Sequence, residues 1–267
     1  MAFNFASIGK SVSKIIGGKL DKKIVYLNGN DDDNEDNEDF IKTFTKIELP
    51  KASKFQQVPN KEVNRDVCYI VGPSGSGKTT YTTAYVKELQ KKNKDYPVII
   101  FSTLDDDYND LKNIKRVKIC MDLVTDPMKA EELKETICIF DDIDCIADKK
   151  IRGAIFTIIK QVLEIGRHFN TYVIMTNHLA TNGPDTRPIL NEASTITFFP
   201  QAGGGRGLTY LLQNYCGLTV KDIEFIKGKK SRWCTFYKTY PQILLFEREI
   251  LTLDELHKQS KLIKSSK

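Results

Sequence analysis

The chain has 267 residues, enough for one full α/β domain, with 40 Lys and Arg against 35 Asp and Glu and a formal net charge of +5. Hydrophobic residues at 40 % and charged residues at 28 % exclude collagen, wholesale disorder and a polytopic membrane protein. No apolar run approaches the roughly 18 residues that span a bilayer, and residues 1–23 hold neither an apolar signal core nor a small-residue cleavage site, so secretion is not expected.

Residues 1–39 read as a flexible arm, basic and then acidic. Lys10, Lys14, Lys19, Lys22 and Lys23 stand in the first half. Asp31, Asp32, Asp33, Glu35, Asp36, Glu38 and Asp39 make seven acids within nine residues of the second. Such a block repels itself and buries too little to fold alone. It is either a solvated linker or a DNA mimic that covers a basic surface. Without those acids the chain keeps 40 bases against 28 acids, a balance of +12.

From residue 40 the pattern turns globular. Residues 44–49 suggest a lead-in strand, and 67–71 (VCYIV) form a short, β-branched apolar run of the kind buried in parallel sheets. A helix is expected over 79–91, strands over 98–102 (VIIFS), 117–121 and 136–140 (TICIF), and a long helix over 149–167. Its Ile151, Ile155, Ile158, Ile159, Val162, Leu163 and Ile165 recur at three- and four-residue spacing. Strands follow over 172–176 (YVIMT) and 195–199 (TITFF), and residues 231–239 and 242–247 flank Tyr240-Pro241 as a hairpin at the sheet edge. Strands alternating with helices predict an α/β fold with a mostly parallel central sheet. Cys68, Cys120, Cys138, Cys145, Cys216 and Cys234 carry no C-x-x-C spacing and read as reduced core thiols, and the three histidines are not spaced with them as zinc ligands.

Gly72, Pro73, Ser74, Gly75, Ser76, Gly77, Lys78 and Thr79, followed by Thr80, spell G-x-x-x-x-G-K-T between a predicted strand and a predicted helix. The glycines permit a turn whose N–H groups face phosphate oxygens, and the helix N-terminus adds its positive end. Lys78 is placed to reach the β- and γ-phosphates and Thr79 to bind Mg²⁺. The strand ICIF ends in Asp141-Asp142. Asp141 suits the Mg²⁺-holding acid and Asp142 the general base for water, unless Asp142, like Asp144, caps the next helix. An acid pair there points to hydrolysis. The strand end at Asn177-His178 offers a γ-phosphate sensor, with Asn177 the first choice and His178 the other. Arg167, closing the long helix, and Arg206, in a glycine-rich loop, are the candidate arginines for transition-state charge.

The order GPSGSGKTT, IFDDID, GRHFNTYVIMTNH and STITFF with GGGRGLTYLL resembles the genome-packaging ATPases of large DNA viruses of the poxvirus and giant-virus type, within the HerA/FtsK superfamily of P-loop NTPases. The resemblance spans residues 65–250, and virophage relatives look similar. It implies a ring-forming ATPase that uses ATP and Mg²⁺ to move double-stranded DNA into a preformed capsid. The implied partners are DNA without sequence preference, further copies of the chain, and a capsid or portal protein, with no membrane. The implied setting is the virion or an assembly site in the host cytoplasm. It further implies a polar sensor near Asn177 and an arginine finger acting in trans, a role for which Arg167 and Arg206 both stand. The chain departs from bacterial members in having Asp rather than Glu at 142 and in lacking a membrane domain and a DNA-reading winged helix. The expected organisation is the arm over 1–39, a P-loop ATPase domain over 40–250 and a basic helical tail over 251–267. Other readings are a DNA helicase or conjugative-type pump, a nucleotide kinase, for which no arginine-rich lid is found between Lys149 and Arg187, and a nucleotide-binding capsid component. Five bases interleaved with Trp233, Phe236 and Tyr237 over 227–238 suit a phosphate-backbone contact, or else a hairpin with aromatics facing the core and solvated lysines. Lys258, Lys261, Lys264 and Lys267 recur every three residues in the tail.

Overall fold

The structure, a computed structural model, describes residues 2–29, 42–104, 106–202 and 205–262. The chain opens with β1 (Ala2–Asn4), β2 (Lys10–Ile16), β3 (Ile24–Asn28), β4 (Lys46–Glu48) and β5 (Lys54–Gln57). Then come β6 (Val67–Val71), α1 (Lys78–Lys92), β7 (Val98–Ser102), β8 (Ile114–Lys118), α2 (Asp122–Thr125), β9 (Ile137–Phe140) and α3 (Lys149–Ile165). β10 (Tyr172–Asn177), α4 (Arg187–Glu192), β11 (Thr195–Phe198), α5 (Gly205–Cys216) and α6 (Val220–Gly228) lead to β12 (Cys234–Tyr237), β13 (Ile243–Phe246), β14 (Glu249–Thr252) and α7 (Leu253–Lys261).

Ten strands form one sheet in the order β4-β14-β13-β12-β11-β6-β10-β9-β7-β8. From β11 to β8 every pairing is parallel, with β6 paired to β10 and β11. Alternation along each strand feeds two core layers. On β6, Val67, Tyr69 and Val71 face the α3 side, whereas Cys68 and Ile70 face Tyr85, Val86 and Leu89 of α1. Both faces are covered, which is why these strands read as unbroken apolar runs. The mostly parallel sheet flanked by helices is the P-loop NTPase architecture that the motif order implies.

The hairpin β12–β13 pairs with β11 and continues through β14 to β4, so the sheet runs two strands beyond it. β8 begins three residues before the expected strand. No helix among the described residues is long and apolar enough to cross a membrane. Cys68, Cys138, Cys216 and Cys234 are buried, but Cys145 is exposed.

Much of the expected arm is folded. β1, β3, β2 and β5 form a four-stranded sheet in that order. Phe3, Val12, Ile15, Val25, Leu27 and Phe55 bury a core shared with Ile243, Leu245 and Ile250. The arm reading failed because each strand is short and interrupted by Lys and Gly, and its apolar residues find their partners across more than 200 residues of chain. Lys14 pairs with Glu88 of α1 at 2.6 Å, and Tyr237 Oη donates to the Val12 carbonyl at 2.7 Å, fastening this sheet to the large one. The acidic run over 31–39 lies outside the described residues. The expected tail is likewise docked: Leu256 is buried, and Ser260 Oγ donates to Asp222 Oδ1 at 2.6 Å. Lys264 and Lys267 lie outside the described residues.

Candidate active site

The phosphate loop joins the end of β6 to α1. Gly72 has no room for a side chain: a Cβ there would come within 2.7 Å of Phe199 Cδ2 and 2.6 Å of Ser76 Oγ. Gly77 has φ +105, a conformation that glycine supplies without strain. α1 has no side-chain cap and no acid in its first turn, so its leading amides are left for an anion. Ser76 Oγ is buried without a partner. A buried orphan donor inside a ring of amides is what an incoming phosphate would satisfy. Lys78 is buried, and its Nζ donates to the Gly72 carbonyl at 2.9 Å. Pro73, Ser74 and Gly75 form the exposed rim, with Thr79 half-buried and Thr80 exposed.

Asp141 and Asp142 leave the end of β9 in different directions. Asp141 is buried and accepts from Tyr108 Oη at 2.5 Å and Thr176 Oγ1 at 2.7 Å. Burial holds its carboxyl above the ordinary value, against the pull of those hydrogen bonds. Burial, with the Asp141 charge beside it, pushes the Tyr108 phenol up. Asp142 turns back at φ 47, ψ 41, a left-handed conformation that Asp tolerates better than most residues. The turn brings Oδ1 within 3.4 Å of Lys78 Nζ and Oδ2 within 2.7 Å of His178 Nε2. Asp142 does not cap the next helix. Asp148 caps α3, accepting from the Lys150 and Ile151 amides at 2.8 and 3.0 Å. Asp144 accepts instead from the His178 and Leu179 amides at 3.0 and 2.9 Å, which fixes the segment after β10.

Asn177 is fully buried; Nδ2 donates to Tyr69 Oη at 3.2 Å, and Oδ1 has no partner. Its carbonyl accepts from the Gly72 amide at 3.1 Å, tying β10 to the loop. At this strand tip Asp142 is met by His178 and by Thr176, whose Oγ1 lies 3.3 Å from Asp142 Oδ1.

The two arginines occupy opposite ends of the sheet. Arg206 is exposed in the first turn of α5, whose neighbours Gly207 and Leu208 line a cleft with Gly72, Pro73 and His178. Gly203 and Gly204 lie outside the described residues. Arg167 is exposed in the 3-10 turn after α3, at the start of β10, and β10 meets the loop at its other end. Six strand residues separate those ends by about 20 Å, beyond the reach of an arginine in its own subunit.

Sequence reasoning missed Tyr108 and Thr176, the hydroxyls that hold Asp141 most closely, with Ser102 Oγ at 3.5 Å from its Oδ2. Thr176 carried a weak signal as the polar end of an apolar strand. Tyr108, in a left-handed turn 33 residues before Asp141, carried none. A hydroxyl at Thr79 and a carboxylate at Asp141 are hard oxygen donors, suited to Mg²⁺ completed by phosphate and water. Among the described residues no cluster of three or more His, Cys, Asp or Glu could hold a metal alone.

The aromatic and basic segment over 227–238 turns inward. Phe236 is buried, Lys229 pairs with Glu249 at 2.7 Å and Arg232 with Glu247 at 2.9 Å, and Lys227 Nζ donates to Thr209 at 3.0 Å. Lys230 and Arg232 nonetheless stay exposed.

The chain is 40 % identical to protein V3 of Sputnik virophage, itself uncharacterised, over 94 % of this chain and 98 % of that protein. The chain belongs to the V3 family. A family profile described as Nephrocystin 3, N-terminal, matches residues 45–175. Among solved structures the chain is similar to the genome packaging NTPase B204 of Sulfolobus turreted icosahedral virus 2, in complex with ATP-gammaS. There the identity is 15 %, the TM-score 0.48 and the coverage 69 % of this chain and 98 % of that one. It is also similar to the pCW3 conjugation coupling protein TcpA, at 12 % identity and TM-score 0.45, covering 96 % of this chain and 82 % of that one.

Proposed function

We propose that this V3-family chain hydrolyses ATP to move double-stranded DNA into a preformed viral capsid. The observation that carries the hydrolytic part is the cluster at the loop: Lys78 beside Asp142, Asp142 on His178, and Asp141 buried behind them. Lys78 and the loop amides would hold the phosphates, as the orphaned Ser76 hydroxyl favours. Thr79 and Asp141 would hold Mg²⁺, which when bound neutralises charge on the phosphate oxygens. Asp142 would take the proton of the attacking water. His178, hydrogen-bonded to it, would orient that carboxylate and sense the γ-phosphate, in place of the buried Asn177. An arginine from a neighbouring copy would complete the site.

Translocation into a capsid rests on the resemblance of the motif order, and the virophage relative supports a viral setting. The implied ring, the capsid or portal contact and the location in virion or host cytoplasm follow from the same resemblance. The test is the ATPase rate with and without added double-stranded DNA, with oligomer mass measured in the same buffer. A rise that falls off with salt is expected, because backbone contacts release counterions. A rate indifferent to DNA at every salt concentration would overturn the motor and leave an NTPase.

A further inference from the structure

We propose that the cleft between β5, α1 and the residues preceding β12 is a nucleobase pocket, in which the base of a loop-bound nucleoside triphosphate lies against Trp233. The inference rests on nucleotide binding at residues 72–79, as proposed above.

Direction comes from the sheet order. Asp141 and Asp142 end β9, two strands from β6 on one side, and they mark the γ-phosphate end. β12 is two strands from β6 on the other side. At about 4.8 Å per strand, each lies roughly 10 Å from the loop strand. A triphosphate whose γ end faces the acids therefore points its sugar and base toward β12.

A cavity of about 160 Å³ lies there, and Ser76, Gly77 and Thr80 of the loop form its inner wall. An enclosed cavity of about 150 Å³ admits a benzene ring. This cavity is of that size and open on one side, so a fused base enters with one edge projecting. Phe55, Tyr81, Phe199 and Trp233 supply its aromatic walls, and Arg232 stands at the mouth. The walls are braced. Tyr81 Oη bonds Gln57 Oε1 at 2.6 Å and Thr235 Oγ1 at 2.5 Å. Trp233 packs edge-on to Tyr81, with ring centroids 5.0 Å apart, and stays half-buried. The rival groove on the other side of α1 borders Thr79 and Thr80 as well, but Asp106, Asp107 and Asp110 line it and charged side chains leave no aromatic platform beyond Tyr108.

Phe55 and Gln57 belong to β5, so the small N-terminal sheet supplies one wall of the pocket. A bound base would touch both sheets at once and clamp the N-terminal sheet to the phosphate loop.

Trp233 is the single tryptophan of the chain, so its fluorescence reads the pocket in the unmodified protein. ATP and ADP are expected to change that signal saturably. Inorganic tripolyphosphate should displace ADP yet fail to reproduce the change. By calorimetry, Trp233→Ala should weaken ATP roughly 5- to 150-fold, the range for loss of one base-stacking platform, and tripolyphosphate by no more than about twofold. Trp233→Phe, which keeps an aromatic wall, should fall between. ATP binding with no fluorescence change, or equal losses for ATP and tripolyphosphate, would overturn the pocket while leaving the phosphate loop in place. If neither ATP nor tripolyphosphate binds, the nucleotide reading itself falls and the pocket with it.

Discussion

Asp142→Asn should separate nucleotide binding from hydrolysis, because the side chain touches Lys78, His178 and Thr176. Asn populates the left-handed region at least as readily as Asp, so the turn at φ 47 survives the change. What disappears is one negative charge 3.4 Å from Lys78 Nζ. At that distance the attraction is about 1 kcal/mol in water and about 5 kcal/mol at an effective dielectric near 20. The Asp142 side chain is 27 % exposed, which brings the working value to about 1–2 kcal/mol. In the free protein that attraction holds Lys78 away from phosphate. Its loss should tighten ATP binding by up to about 30-fold. Removing a general base should lower kcat by about 10²- to 10⁴-fold.

Calorimetric ATP titration and a phosphate-release assay read the two effects separately, and thermal unfolding controls for the fold. Asp142→Asn, which loses that attraction of about 1–2 kcal/mol from the folded state, should lower Tm by about 2–8 °C without abolishing cooperative unfolding. Asp142→Ala also places a residue without local polar contacts in the left-handed region, at a further cost of about 1 kcal/mol, and should lower Tm by about another 2–4 °C. An Asp142→Asn protein with unchanged kcat would remove Asp142 from the chemistry. A fall in affinity as large as the fall in kcat would assign it to ground-state binding instead.

Lys78→Ala should abolish ATP binding by calorimetry without unfolding the chain, and retained turnover would remove the phosphate-loop assignment. Asp141→Asn should raise Tm at neutral pH in the absence of Mg²⁺. Burial raises this carboxyl above its ordinary value, so the ionised form opposes folding at any pH above the folded value, and the penalty fades as pH falls through it. The gain in Tm should therefore shrink in acid, and stabilisation by Mg²⁺ with nucleotide should vanish; a variant less stable than the parent at pH 7 contradicts this. His178→Ala should reduce kcat with little change in ATP affinity, while Asn177→Ala should chiefly lower Tm by leaving Tyr69 without its donor; the reverse pattern would restore Asn177 as the sensor.

The legible part of this fold is the part whose physics is local. Strands β6, β7, β9 and β10 are buried on both faces, and four or five consecutive apolar residues announce that condition without any knowledge of neighbours. The phosphate loop announces itself because glycine is needed at Gly72 for contact with Phe199 and at Gly77 for φ +105. The N-terminal sheet is different. Phe3, Val12 and Val25 are ordinary residues among lysines, and only Ile243, Leu245 and Ile250, far along the chain, complete their core. Trp233 shows the same limit at the site. Its neighbours in sequence, Lys230 and Arg232, suggest a nucleic-acid contact, yet its neighbours in space are Tyr81 and the loop.

The placement of the two arginines bears on how copies would assemble. A closed ring of identical subunits uses a heterologous interface, in which one patch of a subunit meets a different patch of the next. A residue that acts on a neighbour's phosphates must then lie away from its own loop. Arg206 precedes Gly207 and Leu208, which line the cleft beside Gly72 and Pro73, and we propose that it serves in cis. Arg167, one strand length away at the opposite edge, cannot reach its own loop, and it remains exposed for a partner. We propose on this ground that Arg167 is the residue acting in trans. Mixing inactive Arg167→Ala subunits with inactive Asp142→Asn subunits should restore part of the ATPase activity, since some interfaces pair an intact arginine with an intact acid. Mixtures of Arg206→Ala with Asp142→Asn should stay inactive, because a subunit lacking its own cis arginine is not repaired by a neighbour's Arg206. Complementation by Arg206→Ala, and none by Arg167→Ala, would reverse the assignment and require an interface that brings the two loop-bearing edges together.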